Sequence, residues 1–190
     1  MKGKLILVLG GARSGKSELA EKIASQLGGP IIYIATATVR DPEMTDRIKL
    51  HQARRPASWS TVEEPTNILQ VLQQGQRGDV FLLDCVTLWL TNLLLGENLP
   101  CNEASTAEKQ DYILAQAEAA AETVSQGQHL IIVSSEVGLG LVPEYPLGRA
   151  FRDLAGKVNQ TLASKADQVY FTIAGLPLEI KSLAGQKWSD

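Results

Sequence analysis

Cysteine and histidine are scarce in this 190-residue chain, two of each, and no CxxC or Cys/His spacing occurs. A disulfide framework or a zinc site therefore has no support, and a reducing, cytoplasmic setting is expected. Long apolar runs are also missing. The leucine-rich stretch from Cys85 to Leu95 falls well short of the ~20 residues that span a bilayer. The apolar start Leu5–Leu9 breaks at Gly10-Gly11 and is followed by Arg13 and Lys16, not by a small-residue cleavage site, so neither export nor membrane insertion is indicated. An excess of positive charge is lacking too. A formal net charge of -3 and a pI near 5.5 leave no electrostatic footprint for nucleic acid, so an anionic ligand must be gripped locally.

What is present is an ordinary globular balance, 44% hydrophobic and 21% charged residues, in a length that suits one domain over residues 1–190. Strand-length apolar runs recur at Leu5–Leu9, Ile31–Ala35, Val80–Leu83, Leu130–Val133 and Val169–Ile173, and Trp59–Val62 is strand-like. Helix-period segments lie between them: Lys16–Gln26, a helix capped by Asp41-Pro42 and stopped by Pro56, Ala104–Ser125 closed by Gly127, and Gly148–Lys165. This alternation predicts an α/β fold, a mostly parallel sheet with helices on both faces. Gly96–Glu103 is the expected loop.

Residues 10–17, Gly10-Gly11-Ala12-Arg13-Ser14-Gly15-Lys16-Ser17, match GxxxxGK[ST] directly after a strand and before a helix. In such a loop the backbone N–H groups turn inward and the helix amino terminus adds its positive dipole end. Lys16 reaches the β- and γ-phosphates, and Ser17 can ligate Mg²⁺. The run Asp79–Asp84 ends an apolar strand in a carboxylate, which makes Asp84 a second candidate ligand for Mg²⁺. Glu63 and Glu64 form a further acidic pair. Ser164-Lys165-Ala166-Asp167 imitates a guanine-recognition tetrapeptide, but it ends a helix where that element should follow a strand, so it is set aside. His129 opens a strand with no acid or metal partner nearby and is assigned to structure. His51 lies on the helix before Pro56 among Arg47, Lys49, Arg54 and Arg55.

The motifs GGARSGKS, YIAT and RIxxHxxxRP occur together with Glu136–Pro143 (EVGLGLVP) and the segment from Arg149 to Gln160. In that combination the chain resembles, over essentially its whole length, the adenosylcobinamide kinase/adenosylcobinamide-phosphate guanylyltransferase family of cobalamin biosynthesis. The resemblance implies a P-loop fold of the recombination (RecA) type, a homotrimer, and two reactions. A triphosphate, ATP or GTP, phosphorylates the aminopropanol hydroxyl of adenosylcobinamide. GMP from GTP then passes through a covalent histidine to adenosylcobinamide phosphate. That histidine falls on His51; where some members have two adjacent histidines, this chain has Leu50. The implied nucleotide site comprises Gly10–Ser17, Ala35-Thr36-Ala37, Gln52-Ala53-Arg54-Arg55, Glu63 and Asp84, the last being Glu in some members.

The implied chemistry is physically sound. An imidazole with an ordinary pKa of about 6.5 is largely neutral and nucleophilic near pH 7, and flanking arginines hold it neutral while stabilising phosphoryl charge. Two other readings share the P-loop. One is a single-function kinase of a small metabolite, in which His51 only binds phosphate; the other is a non-catalytic nucleotide-binding module. Nucleotide turnover with and without cobinamide separates them.

Overall fold

The computed structural model describes residues 2–38, 55–96, 99 and 103–184; its five inner strands follow the apolar runs of the chain, and its elements run in chain order. They are β1 (Leu5–Gly10), α1 (Lys16–Leu27), β2 (Ile31–Ala35), β3 (Ser60–Glu63), α2 (Ile68–Gln73), β4 (Val80–Asp84), α3 (Val86–Leu95), α4 (Thr106–Glu122), β5 (His129–Val133), α5 (Pro146–Lys165), β6 (Gln168–Ile173) and β7 (Leu176–Glu179). Short 3-10 turns occur at Thr123–Gln126 and Val137–Leu139. The seven strands form one sheet in the order β3-β2-β4-β5-β1-β6-β7. All pairings are parallel except that of β6 with β7.

Several boundaries have a local cause. Ser105 caps α4 in a reciprocal capping box with Glu108, and Gly127 ends the adjoining turn at φ 93°. Helix α5 begins at Pro146, two residues before the Gly148 expected from the sequence, because proline suits a first helical position. Residues 86–95 are helical, with Val86, Trp89, Leu90, Asn92, Leu93 and Leu94 all buried. No described helix is long and apolar enough to cross a membrane. The helix expected between Asp41 and Pro56, with His51, Gln52, Ala53 and Arg54, and most of the Gly96–Glu103 loop lie outside the described residues.

Strand alternation sorts the core into two layers. Leu5, Leu7, Leu9, Phe81, Leu83, Leu130 and Ile132 face α2, α3, α4 and α5. Ile6, Val8, Tyr33, Val80, Leu82, Ile131 and Val133 face α1. Because β1 to β6 run parallel, their carboxyl ends collect on one rim, where Gly10, Ala35, Glu63 and Asp84 stand. The opposite edge holds the residues that the sequence assigns to structure. Asp167 accepts the N–H of Leu5 at 2.8 Å, and His129 Nδ1 accepts that of Lys4 at 3.2 Å. Desolvation, then the charge of Lys4, lowers the His129 pKa.

Candidate functional site

The glycine loop leaves β1 through Gly10, whose φ of 152° and surroundings both require glycine. A Cβ there would meet Thr172 O at 2.5 Å and Ser14 Oγ at 2.6 Å. Ser14 is buried and its hydroxyl lies 2.9 Å from that of Thr172. Since Thr172 donates its single proton to Leu9 O at 2.9 Å, Ser14 is the donor in that pair. The N–H of Gly175, in the turn between β6 and β7, donates to Ser14 O at 3.0 Å. The loop is thus braced from the β6–β7 hairpin, a support the sequence did not signal, because hairpin and loop are about 160 residues apart in the chain.

Gly15 caps α1 at φ 95° and has no side chain to bond the first turn. The amino-terminal N–H groups of α1 are therefore presented to an anion together with the positive end of the helix dipole. Lys16 Nζ donates to Gly11 O at 2.6 Å, folded back over the glycine loop. Ser17, in the first turn, is partly exposed.

Across the rim, β4 ends at Asp84. Its alternation turns the carboxylate to the α1 side, where the buried Tyr33 hydroxyl donates to Oδ2 at 2.7 Å. Burial, then the Asp84 charge, pushes the Tyr33 pKa far above its ordinary 10.0, so Tyr33 remains a donor throughout the physiological range. The Arg55 guanidinium lies 3.3 Å over the Tyr33 ring centroid, and Nη1 donates to Thr61 Oγ1 on β3 at 3.4 Å. Tyr33 therefore ties the end of the segment carrying His51 to the acidic end of β4. Burial and the Asp84 charge push the thiol of the free Cys85 up to about 11, which keeps it protonated.

Tyr33 also makes stability depend on pH. A phenol whose folded pKa is raised contributes fully below its unfolded value and loses that contribution as pH climbs past it. Wild-type stability is expected to fall from about pH 10 upward more steeply than that of Tyr33→Phe. Urea unfolding midpoints between pH 8 and pH 11 read this directly, and parallel curves for the two proteins would contradict it.

Other rim residues divide by role. Thr36 is fully buried; its Oγ1 accepts Cys85 N at 2.8 Å and donates to Cys85 O at 2.8 Å. Its carbonyl accepts Asn92 Nδ2 at 2.9 Å. The side chain thus joins β2 to β4, which leaves the neighbouring Ala35 and Ala37 as backbone on the rim. Glu63 ends β3 beside Ala35 and is exposed. Glu64 instead accepts the N–H groups of Thr66 and Asn67 at 2.8 and 2.7 Å, fixing the turn into α2. Structure thus separates two acids that are equivalent in sequence.

Strand β5 lies between β1 and β4, so the P-loop and Asp84 are two strand spacings apart, roughly 10 Å. This width suits a polyphosphate with an associated cation. A strand, a glycine loop and a helix amino terminus facing an acidic strand end define a P-loop nucleotide-binding protein. The fold agrees with an ATP synthase subunit, NeqB, of Nanoarcheaum equitans (TM-score 0.54, 12% identity, 98% of this chain and 53% of that one). It agrees also with a protein of Pyrococcus horikoshii OT3 (TM-score 0.52, 10% identity, 94% and 86%).

Residues 6–180 match the family model "Cobinamide kinase / cobinamide phosphate guanyltransferase", and the chain belongs to that family. It is 44% identical over 177 residues to the bifunctional adenosylcobalamin biosynthesis protein CobP of Pseudomonas aeruginosa, across 92% of this chain and 96% of that protein. It is 39% identical over 188 residues to CobU of Escherichia coli K12, across 93% and 99%.

Proposed function

We propose that this chain phosphorylates adenosylcobinamide with a nucleoside triphosphate and then transfers GMP from GTP, through a guanylyl-His51 intermediate, to adenosylcobinamide phosphate, giving adenosyl-GDP-cobinamide. The observation that carries this reading is the family match over residues 6–180 on a chain whose P-loop and Asp84 stand on one rim.

In both reactions the loop Gly10–Ser17 cradles phosphates and Lys16 neutralises charge that develops on them. Ala35, Thr36, Ala37, Gln52, Ala53 and Glu63 are assigned to the surrounding nucleotide site. Ser17 and Asp84 offer oxygen ligands, the donor type Mg²⁺ prefers. Among the described residues no group of three or more His, Cys, Asp or Glu side chains is placed to hold a metal ion. When bound, Mg²⁺ would withdraw charge from the phosphoryl oxygens. Tyr33 would keep the Asp84 carboxylate oriented toward it.

The His51 imidazole attacks the α-phosphorus of GTP and pyrophosphate leaves. The acceptor phosphate then displaces histidine, so two in-line steps share one cradle. Arg54 and Arg55 would stabilise α-phosphoryl charge, and the stacking of Arg55 on Tyr33 supports that placement. A single domain in the cytoplasm, assembled as a homotrimer, completes the reading on family resemblance; sedimentation equilibrium tests the trimer.

The deciding experiment incubates the protein with Mg²⁺ and GTP labelled at the α-phosphate. Acid-labile, alkali-stable label is expected on the wild type and none on His51→Ala. Absence of label from both, with cobinamide-dependent γ-phosphate transfer intact, would reduce the protein to a kinase.

A further inference from the structure

We propose that Glu136 receives the acceptor alcohol in the phosphoryl step and that Asn159 holds its carboxylate in position. This role rests on the kinase half of the proposed function and adds to it two residues from segments that the nucleotide site leaves unused.

Since β5 lies between β1 and β4, the residues just past its end stand between the P-loop and Asp84. The N–H of Glu136, three residues past the end of β5, donates to Gly10 O at 3.1 Å. Its carboxylate is held from α5. Asn159, only 4% exposed, donates Nδ2 to Glu136 Oε2 at 3.4 Å and to Ser135 O at 3.4 Å. Its Oδ1 accepts the Ser134 hydroxyl at 2.7 Å, which fixes the amide with its donor toward the acid. Oε1 of Glu136 passes close over Gly138, where a Cβ would come within 3.2 Å. Glu136 itself remains partly exposed at the rim.

The structural contacts of Glu136 do not require a charge, since an amide oxygen could accept from Asn159 equally well. The bond to Gly10 is main-chain and needs no carboxylate, and negative charge beside a phosphate cradle opposes nucleotide binding. The charge does suit the acceptor side, where a hydroxyl must be aligned and relieved of its proton.

The segment beyond Glu136 supports that direction of approach. Leu139 and Leu141 are 76% and 95% exposed, and Val142, Tyr145 and Leu147 are exposed as well. A neighbouring cavity of about 170 Å³ is lined by Leu94, Leu95, Tyr145 and Phe151, room for one substituent of a macrocycle but not its whole body. An alcohol carried on a bulky, apolar-edged acceptor can lie along this segment with its hydroxyl at Glu136.

In the step itself, the hydroxyl oxygen bonds to the γ-phosphorus as the bond to the β,γ-bridging oxygen breaks. That electron pair leaves with the nucleoside diphosphate. The hydroxyl proton passes to the Glu136 carboxylate and from there to water.

The test compares full-length wild type, Glu136→Gln, Asn159→Ala and the double variant. Cobinamide phosphorylation is followed with γ-labelled triphosphate, and protein labelling with α-labelled GTP. Glu136→Gln preserves size and can still accept from Asn159. It is expected to lower kcat for phosphorylation about 100-fold with the KM for triphosphate unchanged or lowered, since a charge opposing the phosphates is removed, a loss confined to the phosphoryl step. Asn159→Ala is expected to lower kcat about 10-fold, and the double variant to be no slower than Glu136→Gln alone, since a positioning residue has nothing left to position.

Loss of less than 3-fold in Glu136→Gln, equal loss of protein labelling, or multiplied effects in the double variant would each overturn the proposal. A wild type that labels on histidine but never phosphorylates cobinamide would remove the kinase reading, and this proposal with it.

Discussion

Alanine at position 16 is expected to slow both phosphoryl and guanylyl transfer by about 10²–10³-fold, the effect of removing one preorganised charge from a phosphate site. The Lys16 ammonium already lies over the loop, 2.6 Å from Gly11 O, at the place from which it would meet a phosphate oxygen. In the proposed mechanism both reactions draw on the same cradle, so both should fall together, unlike the selective loss expected at Glu136. Arginine is not expected to rescue, because a planar fork cannot follow the path of a compact ammonium on a flexible stem. Initial rates of each half-reaction, with the melting temperature as a control for folding, measure this. A fall of less than 10-fold in either rate would show that the cradle works through its backbone alone.

Trp89→Ala is expected to destabilise the protein by about 3–5 kcal/mol, the range for emptying a large aromatic site. Trp89 is 1% exposed in the layer beneath α3, and its Nε1 donates to Thr66 O at 2.8 Å. One turn later on the same helix, Asn92 Nδ2 donates to Thr36 O at 2.9 Å and to Pro65 O at 3.0 Å. The two side chains stitch α3 to the segments just past β2 and β3, so the variant loses packing and leaves the Thr66 carbonyl without its indole donor. Trp89→Phe should cost less, since it retains most of the volume. Urea unfolding monitored by far-UV circular dichroism gives both values. A change below 1 kcal/mol for alanine would mean that neighbouring side chains close the cavity.

The fold elements legible in the sequence are those with local causes. β1, the glycine loop and α1 arise from an apolar run, two glycines in special backbone conformations and a helix-period segment, all within 27 residues. The buried strands likewise coincide with their apolar runs. β7 has no such signal, because Leu176–Glu179 carries Pro177 and is largely exposed, the character of an edge strand. α3 is equally hard to read, because a ten-residue segment apolar on nearly every side has no amphipathic period to reveal it.

By itself, then, the sequence determined the phosphate loop, the strand-helix alternation and, through its motifs, the family, since each depends on neighbours in the chain or on residue identity. Only the tertiary structure decided which strands lie side by side. Side-chain period shows which face of a strand is buried but carries no information about its partner. The partnering places β5 between the P-loop and Asp84 and so brings Glu136 to the rim. It sets Tyr33 against Asp84 and Arg55, sends Thr172 to brace the loop from the far end of the chain, and gives Glu63 and Glu64 different tasks.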